Sequence, residues 1–183
     1  MTDIRRVVEL AHRHGAQVVV DNTFLTPYLQ RPLDLGADAT VQSATKYLGG
    51  HGDLLGGVVS TNDDALAEQV HLAQMISGGV LSPIDSYRLI QSVTTLGIRL
   101  DRQQENARRI VDFLRGRPEV AHVLVPGSYD DTEARIQEGQ ADGPGGLFSF
   151  ELVPGTDVRA FLGALEIFCL LYTSDAADDV AGV

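Results

Sequence analysis

One lysine, Lys46, stands in the run SATKYLGGHGD (residues 43 to 53), between two hydroxyl side chains and a glycine-rich segment holding one His and one Asp. Earlier in the chain Asp21 closes an apolar run, VVVD. An amine held in a partly desolvated cationic pocket becomes nucleophilic toward a carbonyl carbon. A carboxylate beside a heterocyclic nitrogen keeps that nitrogen protonated, because it favours the charged partner. Hydroxyls such as those of Ser43 and Thr45 can donate to phosphate oxygens. Singly these residues carry little: an Asp after a strand is commonly a turn former or a helix cap, and an isolated Lys is commonly solvated. Their pairing at two strand ends is what points to chemistry.

Periodicity supplies the elements that must position them. The opening stretch reads as a helix with Asp3 as its cap, an apolar face of Ile4, Val7, Val8 and Ala11, and Gly15 at a left-handed end. VVVD follows as a short β-branched run of the kind buried in a parallel sheet. A second strand, ATVQ, runs into SATK, and VVS after Gly57 reads as a third. DALAEQVHLAQMIS has helical spacing in Leu66, Val70, Ala73 and Ile76 and stops at Gly78-Gly79. Ser82-Pro83 opens a long helix, with an apolar series Ile90, Val93, Leu96, Leu100, Ala107, Ile110, Val111 and Leu114 and a kink expected at Gly97. Then come a strand in VAHVLVP, an acidic glycine-rich loop, a strand in GGLFSFELV, and a helix from Asp157 to Phe168. Strands alternating with helices indicate an α/β architecture, in which ligands sit at the carboxyl ends of strands. Asp21 and SATK both stand there. A lysine to bond an aldehyde, an acid for a ring nitrogen and a phosphate cradle are the parts pyridoxal 5'-phosphate requires.

Bulk properties narrow the classes. At 183 residues, 44% hydrophobic and 21% charged, the chain is globular, one domain or one and a half. A net charge of -11 argues against a nucleic-acid surface or attraction to anionic lipid. No run of 18 apolar residues and no signal peptide is visible, so a soluble cytoplasmic protein is expected. One cysteine, Cys169, excludes an internal disulfide framework and a multi-cysteine zinc site. His12 and His14 lie on or beside the polar face of the first helix and do not read as metal ligands. The glycines at 50, 52 and 56 mimic a dinucleotide fingerprint, but neither an apolar strand before them nor a helix after them is present.

VVVDNTFLTPYLQRPLDLGAD, SATKYLGGHGD and GGVV resemble the Cys/Met metabolism (trans-sulfuration) family of pyridoxal-phosphate enzymes. TDI, LSPIDSY, TLGIRLDRQQENA, VPG and GGLFSFEL resemble it in the same order, so the likeness spans residues 2 to 168. It implies part of a fold-type I large domain, a mixed, mostly parallel sheet with helices on both faces, over residues 1 to 97. The start of a smaller α+β C-terminal domain is implied over 98 to 168. Lys46 would bond the cofactor and act as general base and acid at the substrate's α and β carbons. Asp21 would pair with the pyridine nitrogen, Ser43 and Thr45 would bind the phosphate, and Thr23 would lie near the ring. His51 and Asp53 would hold the glycine-rich loop. The implied chemistry is γ-elimination or γ-replacement on cystathionine, methionine or an O-acylhomoserine, in a homotetramer built as a dimer of dimers. GGVLSPID leans toward a γ-lyase. Cystathionine β-lyase, or a catalytically inert truncated chain, are the alternatives.

The chain also departs from the family. Gln91 replaces an arginine, and the loop GSYDDTEARIQEGQADGP lacks a histidine usual there. The family's upstream ring-stacking and phosphate-binding residues, and its downstream carboxylate-binding arginine, have no counterpart. Met1 reads as falling inside the large domain. CLLYTSDAADD resembles a translated sequencing adapter, so residues 169 to 183 are expected to be a non-native tail.

Overall fold

Residues 1–165 are described by the structure, a computed structural model. The first helix, α1 (Ile4–Arg13), starts where the Asp3 carboxylate accepts from Arg6 N at 3.1 Å, satisfying a backbone donor the helix cannot pair itself. Its buried stripe is narrower than the spacing suggests. Ile4 and Val8 are buried and Ala11 partly so, while Val7 is 41% exposed.

Three strands form one mixed sheet in the order β1 (Val19–Asp21), β2 (Ala39–Ser43), β3 (Gly57–Thr61). β1 and β2 are parallel, with Asp21 opposite Val41; β2 and β3 are antiparallel, with Ser43 opposite Gly57. Strand side chains alternate between faces, which gives VVVD two environments. Val18 and Val20 join Ile4, Val8, Leu35 and Ala37 under α1. Val19 points to the other face and is 56% exposed, as is its face-mate Val59 at 46%. The run expected to be buried throughout is therefore covered on one side only by the described residues.

A second core lies at the carboxyl end of the sheet: Leu29, Ala44, Leu48, Leu54, Leu96 and Leu100. Leu29 comes from α2 (Thr26–Leu29), a short helix that, with a 3₁₀ turn at Pro32–Leu35, replaces the irregular stretch expected between the first two strands. α3 (Asp64–Ser77) and α4 (Pro83–Val93) are capped by Asp63 and Ser82, as their sequences indicate. α5 (Leu96–Arg115) supplies Leu96 and Leu100. The long helix expected with a kink at Gly97 is instead two helices, broken at Thr94 and Thr95. Their hydroxyls bond back to Gln91 O (2.6 Å) and Ser92 O (3.1 Å), offering those carbonyls an alternative to helical pairing. Gly97 has a different use: a Cβ there would lie 3.0 Å from the Tyr28 ring. Gln91 itself is exposed, so the exchange of the family's arginine leaves the described core untouched.

β4 (Val120–Leu124) and β5 (Ser149–Leu152) pair antiparallel with an irregularity at Val120/His122. The stretch between them, expected as a loop, contains α6 (Asp131–Gln140), capped by Asp130 accepting from Thr132 N and Glu133 N. The segment reaches back to both cores: Gln140 Nε2 donates to Thr2 O, Ile4 N donates to Gln140 Oε1, and Asp142 N donates to Leu29 O. α7 (Val158–Gly163) begins at the Asp157 cap. The expected end of that helix at Phe168, Cys169 and the tail 169 to 183 lie outside the described residues. No described helix is long and apolar enough to cross a membrane.

Candidate functional site

β2 does not end in a loop. It runs into a wide, π-type turn, Ala44–Leu48, closed by Gly49 N donating to Ala44 O at 2.8 Å and Gly50 N donating to Lys46 O at 2.7 Å. Lys46 departs from helical angles (φ -87°, ψ -116°) in the middle of it. Ala44 and Leu48 are driven into the second core, at 0% and 6% exposure, and Lys46 is left facing out. Its Nζ makes no hydrogen bond or ion pair among the described residues. The turn is also stapled to the chain entering β3: Ala44 N and Thr45 N donate to Gly56 O, and Gly56 N donates to Thr45 Oγ1 at 3.1 Å. Glycine is required beside it. A Cβ on Gly49 would lie 2.6 Å from Ala44 O, and Gly50 has φ +69°.

Asp21, the last residue of β1, is exposed, and its carboxylate accepts only from Thr23 N at 3.0 Å. Thr23 is buried, and its Oγ1 accepts from Ser43 N at 2.8 Å, tying the two strand ends together. Behind it Asn22, 2% exposed, extends the ladder through its N–H to Val41 O. The Asn22 amide donates to Gln30 O at 2.8 Å and accepts from Gln30 Nε2 at 3.1 Å. Because Asp21 is level with Val41, the alternation of side chains puts Asp21, Val41 and Ser43 on one face, the open one. The Ser43 hydroxyl has no partner among the described residues. Thr45 Oγ1 accepts one bond and keeps its proton free to donate.

The parallel pairing thus brings Asp21 and Ser43 together, with Thr45 and Lys46 in the turn that continues β2. The expected desolvated pocket around the amine is not formed by the described residues. Cavities of about 480 Å³, lined in part by Asp101, Arg108 and Phe148, and about 510 Å³, beside Gly78 and Leu81, do not include Lys46. His51 holds the glycine-rich loop: Nδ1 lies 2.6 Å from Gly49 O and 3.3 Å from the buried Ser92 hydroxyl. Asp53 differs from expectation. It is its backbone oxygen that is held, by Arg88, and its carboxylate bonds nothing described. His12 bridges to Asp38 at 3.0 Å, and no group of three or more His, Cys, Asp or Glu among the described residues could hold a metal.

Asn22, Gln30 and Arg99 bond to the backbone around this site without having been singled out in the sequence. The first two lie beside Asp21 in a run rich in turn formers. Arg99 carries no local signal for its bonds to this turn, because Tyr47 and Leu48 lie some fifty residues away. A free amine, a carboxylate one strand over and two donor hydroxyls are a set that fits a cofactor bearing an aldehyde, a basic ring nitrogen and a phosphate.

The fold is that of the fold-type I pyridoxal-phosphate enzymes. Cystathionine gamma-lyase from Lactobacillus plantarum, solved with L-serine, superposes with a TM-score of 0.89 at 38% identity, covering 93% of this chain and 45% of that one. The family model for Cys/Met metabolism PLP-dependent enzymes matches residues 1–178, and the chain belongs to that family. It is 41% identical over 183 residues to cystathionine gamma-lyase of Bacillus subtilis (100% of this chain, 48% of the relative). To L-methionine gamma-lyase of Pseudomonas putida it is 42% identical over 184 residues (99% and 46%). To cystathionine beta-lyase of Lactococcus lactis it is 40% identical over 168 residues (92% and 44%). The chain spans about half the length of the curated relatives it matches.

Proposed function

We propose that the protein carrying this chain is a pyridoxal-phosphate enzyme of sulfur amino-acid metabolism that performs γ-elimination or γ-replacement on cystathionine, methionine or an O-acylhomoserine. When bound, the cofactor supplies an electron sink for a carbanion at the substrate's α carbon. Lys46 would be the covalent anchor and, once released, the base that takes the α proton and then a β proton, so that the electron pair left at the β carbon expels the γ substituent, which takes up a proton as it leaves. Asp21 keeps the ring nitrogen's proton in place through its opposite charge. Ser43 and Thr45 donate to the phosphate, which fixes the bond to be broken relative to Lys46 Nζ. The observation that carries this reading is the unpaired Lys46 amine, held on a rigid turn at the end of the strand next to Asp21. The resemblance extends the proposal to a cytoplasmic homotetramer.

Borohydride reduction of the full-length protein with pyridoxal 5'-phosphate is expected to attach one cofactor at Lys46, located by peptide mass. Lys46→Ala should abolish that label and the visible absorption band with it. Labelling at other lysine sites only would sink the assignment. A cystathionine β-lyase is the second reading, supported by a relative of that name at a similar identity. Products decide between them: oxobutyrate and cysteine from cystathionine mark γ cleavage, pyruvate and homocysteine mark β cleavage.

A further inference from the structure

Arg99 stands out as a cation that pairs with no carboxylate among the described residues. It sits near the start of α5, intermediate in exposure, and all four of its acceptors are neutral oxygens. Nη1 donates to Tyr47 O at 2.8 Å, and Nη2 to Ser92 O at 2.9 Å and Leu48 O at 3.4 Å. Nε donates to Thr95 Oγ1 at 3.1 Å. Burial pulls the guanidinium's pKa down from its ordinary value. A partly desolvated charge is costly unless its donors are satisfied, and here they are spent on main-chain oxygens of two elements.

Two of those oxygens belong to the Lys46 turn. Ala44 O and Lys46 O are taken by Gly49 N and Gly50 N, and Gly49 O by His51. Tyr47 O and Leu48 O, two further carbonyls of the turn, are both taken by Arg99. Ser92 O and Thr95 Oγ1, its other acceptors, belong to the break between α4 and α5. One planar fork therefore bolts the residues directly after Lys46 to a helix junction distant in sequence. Gly50 is cut to fit it: a Cβ there would lie 2.0 Å from Nη1. Lysine could not replace this fork, since an ammonium is a point donor that cannot span three carbonyls in fixed directions.

We propose that Arg99 is a positioning residue for Lys46, holding the turn so that the amine emerges at the end of β2 in one direction. This rests on Lys46 being the cofactor anchor, but the test does not depend on it throughout. Amide hydrogen exchange is measured on full-length wild type, Arg99→Lys and Arg99→Gln without cofactor. Borohydride fixation of pyridoxal 5'-phosphate at Lys46 is then followed in each against pH. In Arg99→Gln the Gly49 and Gly50 amides are expected to exchange about 10- to 100-fold faster, the range for losing hydrogen bonds to a charged donor, while α1 and β1 amides keep their protection. Fixation should slow and its pH profile move, with Arg99→Lys intermediate in both. Unchanged exchange at Gly49 and Gly50, or an equal rise across the whole chain in both variants, overturns the proposal. So does wild-type fixation and pH profile in Arg99→Gln. Absence of Lys46 labelling in the wild type would instead overturn the functional reading, leaving the exchange result to judge Arg99.

Discussion

Asn22 shows how much of the site rests on a side chain that does no chemistry. It follows Asp21 directly, is almost fully buried, and exchanges two hydrogen bonds with Gln30. Truncation to Ala leaves Gln30 O and Nε2 buried without their partners, at about 1 to 3 kcal/mol for an unsatisfied buried group. Asn22→Ala should therefore lower the unfolding free energy measured in urea by that amount and loosen cofactor retention, measured by dialysis, because the loop that presents Asp21 and Thr23 is released with it. A surface control such as Glu68→Ala should change neither. Thr26 adds a second constraint in the same loop: it is fully buried with φ +59°, a region unfavourable to β-branched residues. Its neighbours hold it there, Thr26 N on Asn22 O and Gln30 N on Thr26 O.

At the scale of elements, two joints position the sheet. The second core joins α5 to the Lys46 turn through Leu100, which is fully buried against Leu48, Ala44 and Leu29. Leu100→Ala is expected to cost about 2 to 5 kcal/mol, the range for a large-to-small change that leaves a cavity. Chemical denaturation would show it, and a loss under 1 kcal/mol would mean the site had collapsed to fill the gap. The second joint ties α1 to β2. Asp38 accepts from His12 Nε2 at 3.0 Å and from Val18 N at 2.6 Å. The His12 bond foremost, then the Val18 N–H, hold its carboxyl below the ordinary 3.8. A carboxyl depressed in the folded state stabilises the fold above its unfolded value and loses that contribution as pH falls through the folded value. The urea-midpoint difference between wild type and Asp38→Asn should accordingly be full near about pH 6 and shrink below about pH 4. A difference that grew on acidification would contradict the assignment.

For the whole molecule the described surface is unusually apolar on one side. Leu72, Met75 and Ile76 of α3, Ile84, Tyr87 and Ile90 of α4, and Ile98 of α5 are all more than half exposed. α3, whose spacing reads as amphipathic, has no buried residue at all. Exposed apolar surface on this scale marks a contact face or an aggregation liability. The 183-residue chain by itself is expected to bind a hydrophobic dye, to sediment as large species, and to show weak cofactor labelling and no turnover. A monodisperse chain that retained the cofactor through dialysis would contradict this.

The local features were legible in the sequence because local physics decides them: the caps at Asp3 and Ser82, the helix start at Asp157, the three strand cores, and the Lys46 segment flanked by glycines. The motif around Lys46 also carried the family, since amine, hydroxyls and glycines are needed together at short spacing. The break at Thr94–Thr95 was not legible, because two hydroxyls competing for carbonyls three residues back leave the apolar period unchanged. The helix α6 hidden in a polar glycine-containing stretch and the one-sided burial of VVVD were not legible either, because docking and sheet cover are settled by neighbours distant in the chain. The same holds for Arg99 and for the Thr23 bridge to Ser43. Sequence alone determined which groups are available for chemistry; only the tertiary structure decided how they are held. Hydrogen bonds that join residues twenty to fifty positions apart leave no period in the chain that makes them.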